Sequence, residues 1–249
     1  MSSKLPTKLL KGPLVDVAFE IRFETDIPLS TILPGHLYSK WGGGSIERMP
    51  HAEIPAQLRN EDPNLKYLPL IRLKIDNYVI SISDKSVQVS CLYPYLGWSS
   101  FEEQILKTLN TVNSINLVGP VIRYSLKYTD VLPSELMQNT ADYLNARLSI
   151  GGRGIDLSKV NLQTEILESG AINLLQIIGR VDAQILETGE PRSGLLIDID
   201  SIRQIETTSL TDFIASASKD LASLHTVNKK IFFDCLSDRG LAVLEPSYD

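Results

Sequence analysis

The chain is poor in the residues that build metal sites and disulfide frameworks. Its 249 residues include two cysteines, Cys91 and Cys235, and three histidines, His36, His51 and His225. Neither cysteine has a second cysteine or a histidine at ligand spacing, and no two histidines follow an HxH or HxxxH pattern. We therefore predict free thiols, a reducing cytoplasmic environment, and neither a metal nor another cofactor.

Long apolar runs and phosphate-binding motifs are also missing. No stretch reaches the roughly 18 apolar residues that a membrane helix needs, and the first residues lack the apolar run of a signal peptide. Two glycine-rich turns, residues 41–45 and 151–154, have neither the Gly-Lys-Ser/Thr ending of a P-loop nor dinucleotide-binding spacing. We expect no membrane contact, and we interpret both turns as flexible connections.

Charge is spread unevenly over a chain whose formal net charge is −6. Residues 1–125 carry 13 basic and 12 acidic side chains, whereas residues 126–249 carry 11 basic and 18 acidic ones. The sequence has no cluster of lysine and arginine residues that could bind a phosphate backbone, so a nucleic-acid partner is not expected. The acidic second half suits either a basic protein partner or an ordinary solvated surface.

Regular alternation and helical stripes organise the first half. Residues 15–23 alternate apolar and polar side chains, which indicates an antiparallel strand with one buried face. A Ser99–Glu102 capping box predicts the start of a helix whose apolar stripe runs to residue 115. The other predicted segments are a short helix at 29–41, a long irregular connection at 46–68 that can act as a mobile loop, and strands at 70–75, 79–83 and 86–93.

The second half repeats this order of elements. Its predicted segments are a strand at 121–130, a helix at 134–148, strands at 160–168, 172–187 and 194–202, a long helix from 209 to as far as 237, and a final strand or irregular tail at 241–244. Arg239-Gly240 is interpreted as the stop of the long helix. The sequence therefore predicts an α+β fold with a duplicated β-α-βββ-α plan, in which a curved antiparallel sheet carries the long helices on one face. TATA-binding-protein-like and helix-grip folds follow this plan, and the halves 1–120 and 121–249 are expected to form one continuous domain.

Charged residues on the polar faces of two predicted strands are candidates for binding. Arg123 and Lys127 share one face of the 121–130 strand, and Asp198 and Asp200 share one face of the 194–202 strand. The aspartate pair can bind a divalent cation or a basic group, or it can be the solvated face of a half-buried strand. The basic pair can receive a partner, or it can take part in ordinary surface ion pairs.

Aromatic residues and one histidine complete the candidates. Tyr95 and Trp98 lie just before a helix, where they can form a binding hot spot or a corner that packs helix on sheet. His225 lies beside the apolar stripe of the long helix, where a hydrogen-bonded structural role and a catalytic role are both open.

Five segments, taken in order, are similar to motifs of a known family. They are residues 12–23, 95–101, 123–130, 195–200 and 224–232, and together they resemble a sporadically distributed family of prokaryotic proteins with no assigned function. Where that family expects Arg-Tyr-Ile-Asn, this chain has Lys127-Tyr128-Thr129-Asp130, so no role for a terminal asparagine is carried over. The patchy distribution resembles that of mobile accessory genes, which include toxin–antitoxin and phage-defence modules.

These observations favour a non-enzymatic binding protein that acts through a protein partner, as an antitoxin-like or defence-locus component. The alternative is a small-molecule-binding protein or an enzyme with a pocket between sheet and long helix, lined by His225, Asn228 or Tyr128. Exposed strand edges also leave self-association open.

Overall fold

A computed structural model describes residues 5–133, 140–185 and 188–248. It confirms the predicted α+β class, because a large antiparallel sheet of nine strands carries helices packed on one face. The strands of this sheet are β2 (Leu14–Phe23), β3 (Ser45–Arg48), β4 (Ile71–Ile75), β5 (Tyr78–Ile82), β6 (Ser86–Cys91), β7 (Val121–Pro133), β10 (Asn161–Glu168), β11 (Ala171–Gln184) and β12 (Pro191–Thr208). Their spatial order is β10-β11-β12-β7-β2-β6-β5-β4-β3.

Six α-helices, two short 3-10 helices (Pro50–Glu53 and Leu157–Lys159) and two small two-stranded sheets complete the described elements. The helices are α1 (Leu29–Trp41), α2 (Ala56–Glu61), α3 (Trp98–Asn113), α4 (Thr140–Tyr143), α5 (Leu210–Cys235) and α6 (Asp238–Val243). The small sheets pair β1 (Lys8–Leu9) with β13 (Pro246–Ser247), and β8 (Ser149–Ile150) with β9 (Arg153–Gly154). None of the described helices is long and apolar enough to cross a membrane.

The chain divides into two compact units. Unit one comprises Met1–Val17, Lys127–Ser201 and Leu224–Asp249, and unit two comprises Ala18–Leu126 and Ile202–Ser223. The proposed boundary between residues 120 and 121 stays a prediction.

Unit two is built around the apolar face of β2 and the stripe of α3. Phe19, Ile21 and Phe23 alternate along β2 and are at most 1% exposed. Phe101 and Ile105, which recur at helical spacing in α3, are fully buried as the stripe predicts. The capping box is wrong, however: α3 begins at Trp98, its N-cap Gly97 makes no side-chain hydrogen bond, and Ser99 therefore lies inside the helix.

The segment between α1 and β4 is more regular than predicted. It contains strand β3, a 3-10 turn at Pro50–Glu53 and helix α2, so the interpretation as an irregular connection is wrong. A buried ion pair anchors α2, since Arg59 Nη2 lies 2.7 Å from Asp84 Oδ2 and the two side chains are only 12% and 8% exposed. Arg59 also donates to the carbonyl of Ile54, and Ser30 donates to Asp84. These contacts hold the segment against the turn between β5 and β6.

Unit one has its core between the strands and the second part of α5. The core cluster includes Ile197 and Ile199 of β12, Leu175 and Ile177 of β11, and Val227, Ile231 and Phe232 of α5. The predicted helix at 134–148 is wrong at its C-terminal end: residues 134–139 lie outside the described residues, and of the remainder only Thr140–Tyr143 is helical. The chain leaves the helix there because Leu144 bridges to Leu236 and the Asn145 N–H donates to the Cys235 carbonyl.

The C-terminal end also differs from the prediction. The long helix ends at Cys235, and Arg239-Gly240 lies inside a separate helix, α6, which includes residues 241–243. Ser237 separates the two helices because its side chain accepts a hydrogen bond from the Gly240 N–H and so caps α6.

Candidate functional site

The predicted aspartate pair lies on the face of β12 that is turned away from α5. Ile197 and Ile199 pack into the core cluster together with residues of α5. Successive side chains of a strand point to opposite faces, so Asp198 and Asp200 lie on the other face. Both are partly exposed. We call the residues Lys127, Thr129, Asp198 and Asp200 the charged face of unit one.

Within this face, β7 and β12 bring three of the four polar side chains together. Lys127 Nζ lies 3.2 Å from Asp198 Oδ2, and the Thr129 hydroxyl donates to Asp198 Oδ1 at 2.5 Å. The side chain of Asp198 is 13% exposed, whereas that of Lys127 is 45% exposed. The carboxylate is therefore fixed by two neighbours, while the ammonium group stays accessible to solvent and to a partner.

Arg123 belongs to a separate group in unit two. Arg22 Nε lies 2.6 Å from Glu20 Oε1, and Arg123 Nη2 lies 4.0 Å from the same oxygen. The guanidinium of Arg22 also stacks on the Tyr67 ring at 3.9 Å from its centroid. Two arginines thus share one glutamate.

His225 lies on the opposite side of the sheet from the charged face, in contact with Tyr128. The two rings are 5.8 Å apart between centroids. Burial, and to a smaller extent the Lys229 ammonium, lower the pKa of His225 to about 4, so the imidazole is neutral at pH 7. Nearby, the Asn228 amide donates at 3.0 Å to the Ile199 carbonyl and at 3.0 Å to the Ser201 hydroxyl. Asn228 therefore ties α5 to β12.

A buried carboxyl group, Asp130, is absent from the sequence-based candidates. It is 7% exposed and lies, by strand alternation, on the same face of β7 as Tyr128 and Leu132. Burial, with a smaller contribution from Asp198, raises the pKa of Asp130 from 3.8 to about 8. The signal was present in the alternation, which continues through position 130. It was missed because the predicted strand ended at Asp130, whereas β7 runs on to Pro133.

Tyr95 and Trp98 lie against the start of α3 and contact one buried ring. Their rings meet Phe101 edge to face, at centroid distances of 6.2 Å for Tyr95 and 6.4 Å for Trp98. Phe101 is fully buried, so both aromatic residues cover the core of unit two. This geometry is that of a packing corner, and a role of these rings in binding stays a prediction.

The described part of the chain offers few side chains for metal binding or thiol chemistry. No group of three or more His, Cys, Asp or Glu side chains there is arranged to hold a metal ion. Neither Cys91 nor Cys235 forms a disulfide within the described residues. Burial, followed by the charge of Asp234, raises the pKa of Cys235 to about 11, which keeps this thiol protonated and a poor nucleophile at pH 7.

No protein-family model matches the chain, and no curated protein is significantly similar to it in sequence.

Proposed function

We propose that this is a non-enzymatic binding protein that recognises a protein partner through the charged face of unit one. The observation that carries the proposal is the Lys127–Asp198–Thr129 group with Asp200 beside it, on a strand face that α5 does not cover. The carboxylates of Asp198 and Asp200 are the groups of this face that would meet a basic partner. Such charges steer and orient a basic partner more than they add affinity.

The family resemblance suggests the biological role of this interaction. A family with a patchy prokaryotic distribution suits an accessory role, so we propose an antitoxin-like or defence-locus component that binds a basic protein in the cytoplasm.

The test is affinity capture from a native lysate with three immobilised baits. The first is the wild-type protein, and the second carries Asp198→Asn and Asp200→Asn, which keep side-chain size and remove two charges. The matched control carries Glu47→Gln and Glu206→Gln, the same charge change at exposed positions of β3 and β12. We expect a stoichiometric protein on the wild type and on the control, and severalfold less on the double aspartate variant.

Two results would contradict the proposal. One is recovery of no stoichiometric protein at micromolar bait concentration. The other is equal recovery by the aspartate variant and the control, which would place binding on a different surface.

A second candidate function is small-molecule binding beside α5 in unit one. The specific observation in its favour is that a neutral imidazole and a carboxyl group with a raised pKa both lie on the α5 side of the sheet, at His225 and Asp130. Perturbed groups of this kind are enriched at ligand sites. A fragment screen by NMR should then shift the His225 ring signals, and a His225→Phe variant, which keeps the ring contact with Tyr128, should lose the hits.

A further inference from the structure

The two edges of the nine-stranded sheet differ in how well they are protected. β3, at one edge, has only four residues, includes Glu47 and Arg48, and is followed closely by Pro50. Short strands, charges and proline are the usual devices that keep an edge from pairing with another chain. β10, at the other edge, has eight residues with no proline, and five of them are exposed. β10 is therefore the edge that is open to a further strand.

The turn that joins β10 to β11 determines which backbone groups of β10 point outward. Glu168 pairs with Ala171 across a two-residue turn, in which Ser169 and Gly170 have φ angles of 53° and 73°. Positive φ at both positions is typical of a type I′ hairpin, whose closing pair is hydrogen-bonded. Hydrogen-bonded and non-hydrogen-bonded pairs then alternate along the strands. The N–H and C=O groups that point away from β11 therefore belong to Asn161, Gln163, Glu165 and Leu167.

The side chains of these four residues all lie on the face turned away from α5. Their partners in β11 are Ile178, Gln176, Leu174 and Ile172, which alternate with the core residues Leu175 and Ile177. Leu167 is 77% exposed and lies opposite the half-buried Ile172. An incoming strand would thus pair its backbone with these positions and place alternate side chains beside Leu167, Glu165 and Gln163.

Charge selects the kind of strand that fits. β10 has two glutamates and no basic residue. Glu168 already forms an ion pair with Lys230 at 3.0 Å, whereas Glu165 is exposed and has no ion pair within the described residues. Directly opposite cross-strand pairs of opposite charge are stabilising, and like charges are destabilising. The position opposite Glu165 therefore favours lysine or arginine, and the position opposite Leu167 favours an apolar side chain.

A second copy of this chain satisfies these positions less well. In the two face-preserving, two-fold antiparallel registers that pair seven of the eight β10 residues, Glu165 meets either Gln163 or Glu165 of the other copy. Leu167 then meets Asn161 in the first register and Gln163 in the second. Neither register supplies a cation to Glu165 or an apolar side chain to Leu167, so a basic segment of a different protein is the better occupant.

We propose that β10 is a strand-addition site, at which an extended segment of a basic protein partner pairs antiparallel with residues 161–167. The segment carries an apolar residue opposite Leu167 and, two residues later, a lysine or arginine opposite Glu165. This inference rests on the proposed function and specifies how the partner engages unit one. Main-chain hydrogen bonds supply the affinity and the alternate side chains supply the specificity.

The test uses a seven-residue peptide in which Leu, Lys, Gln and Asn, in that order, alternate with Thr, and a matched peptide with Glu in place of Lys. Each is added at millimolar concentration to the full chain, and amide hydrogen exchange is followed by NMR. We expect the lysine peptide to slow exchange at Gln163, Glu165 and Leu167, whose N–H groups point outward. Exchange at Leu162, Thr164 and Ile166 should change little, because these N–H groups already bond to β11.

Variants of two residues separate backbone pairing from charge recognition. Gln163→Pro removes an outward N–H without removing a bond to β11, so it should abolish peptide binding, while the control Gln163→Thr should retain it. Glu165→Lys should weaken the lysine peptide by about fivefold and reverse the preference between the two peptides, as expected for an exposed pair.

Three outcomes would overturn the inference. They are no protection of the outward amides at millimolar lysine peptide, equal binding of both peptides by the wild type, and protection that appears without peptide and grows with protein concentration, which would indicate a second copy. The proposed function is judged separately: if the lysate partner is lost with Asp198→Asn/Asp200→Asn but retained by Gln163→Pro, the charged face binds it and β10 does not.

Discussion

Replacing Asp130 by asparagine should change the pH dependence of stability more than any other conservative substitution described above. The folded chain holds the pKa of this carboxyl at about 8, against 3.8 for an unperturbed aspartate. Between these two values the folded state keeps a proton that the unfolded state releases. The contribution of Asp130 to the free energy of unfolding is therefore most favourable below pH 3.8, falls as pH rises, and stops falling above about pH 8.

The size of the effect follows from the shift. Each pH unit between the two pKa values corresponds to about 1.4 kcal/mol. Relative to the protonated state, Asp130 thus costs about 4 kcal/mol of stability at pH 7, which is a large part of the stability of an ordinary domain. Asparagine has nearly the same size and cannot ionise, so Asp130→Asn should remove this cost.

The assay is urea denaturation of the wild type and the variant at pH 5, 6, 7 and 8. Because all other titrating groups are shared, the difference in unfolding free energy isolates Asp130. We expect this difference to increase in favour of the variant by about 1.4 kcal/mol per pH unit from pH 5 to pH 7, and by less between pH 7 and pH 8, where the folded carboxyl begins to ionise. Asp26→Asn, the same change at an exposed position, is the control for the substitution itself. A flat difference for Asp130→Asn would refute the reasoning, as would a carboxyl carbon of Asp130 that titrates near pH 4 by NMR.

Two further predictions concern packing. Arg59→Met should lower the free energy of unfolding by about 3–5 kcal/mol, because it leaves the buried Asp84 carboxylate without its cation. Adding Asp84→Asn should recover much of this loss, which a double-mutant cycle by urea denaturation measures. Additive effects of the two substitutions would show that the pair is not coupled. Gly194→Ala should lower stability by at least about 2 kcal/mol, because its Cβ would lie 1.6 Å from the Leu132 carbonyl oxygen. Gly12→Ala, whose Cβ would have its nearest contact at 3.9 Å, is the control, and equal thermal midpoints for the two variants would contradict the clash.

Much of the fold could be predicted because its elements have strong internal periods. The alternation at 15–23 became β2, and the stripe that includes Phe101 and Ile105 became α3, since a buried face forces apolar residues to recur at the period of the element. The predictions were wrong where the sequence has no sustained hydrophobic period. Residues 46–68 contain only short elements, one of which is held in place by the Arg59–Asp84 pair, whose members are 25 residues apart in sequence.

The candidate site was predicted by residue type but not by arrangement. Alternation placed Asp198 and Asp200 on one face of β12, and Arg123 and Lys127 on one face of β7. It could not show that Lys127 meets Asp198 while Arg123 shares Glu20 with Arg22. That choice depends on which strands lie side by side.

The sequence by itself determined the α+β class and the side of each long strand that is apolar, because these follow from local geometry and from the hydrophobic effect. Only the tertiary structure decided that Thr129 bonds to Asp198, 69 residues away, that Asp130 is an interior position of its strand, and that β10 lies at an open edge. The physical reason is that burial and strand pairing are properties of the whole assembled sheet. The pKa of a carboxyl group and the availability of an edge are set by neighbours that the local sequence does not contain.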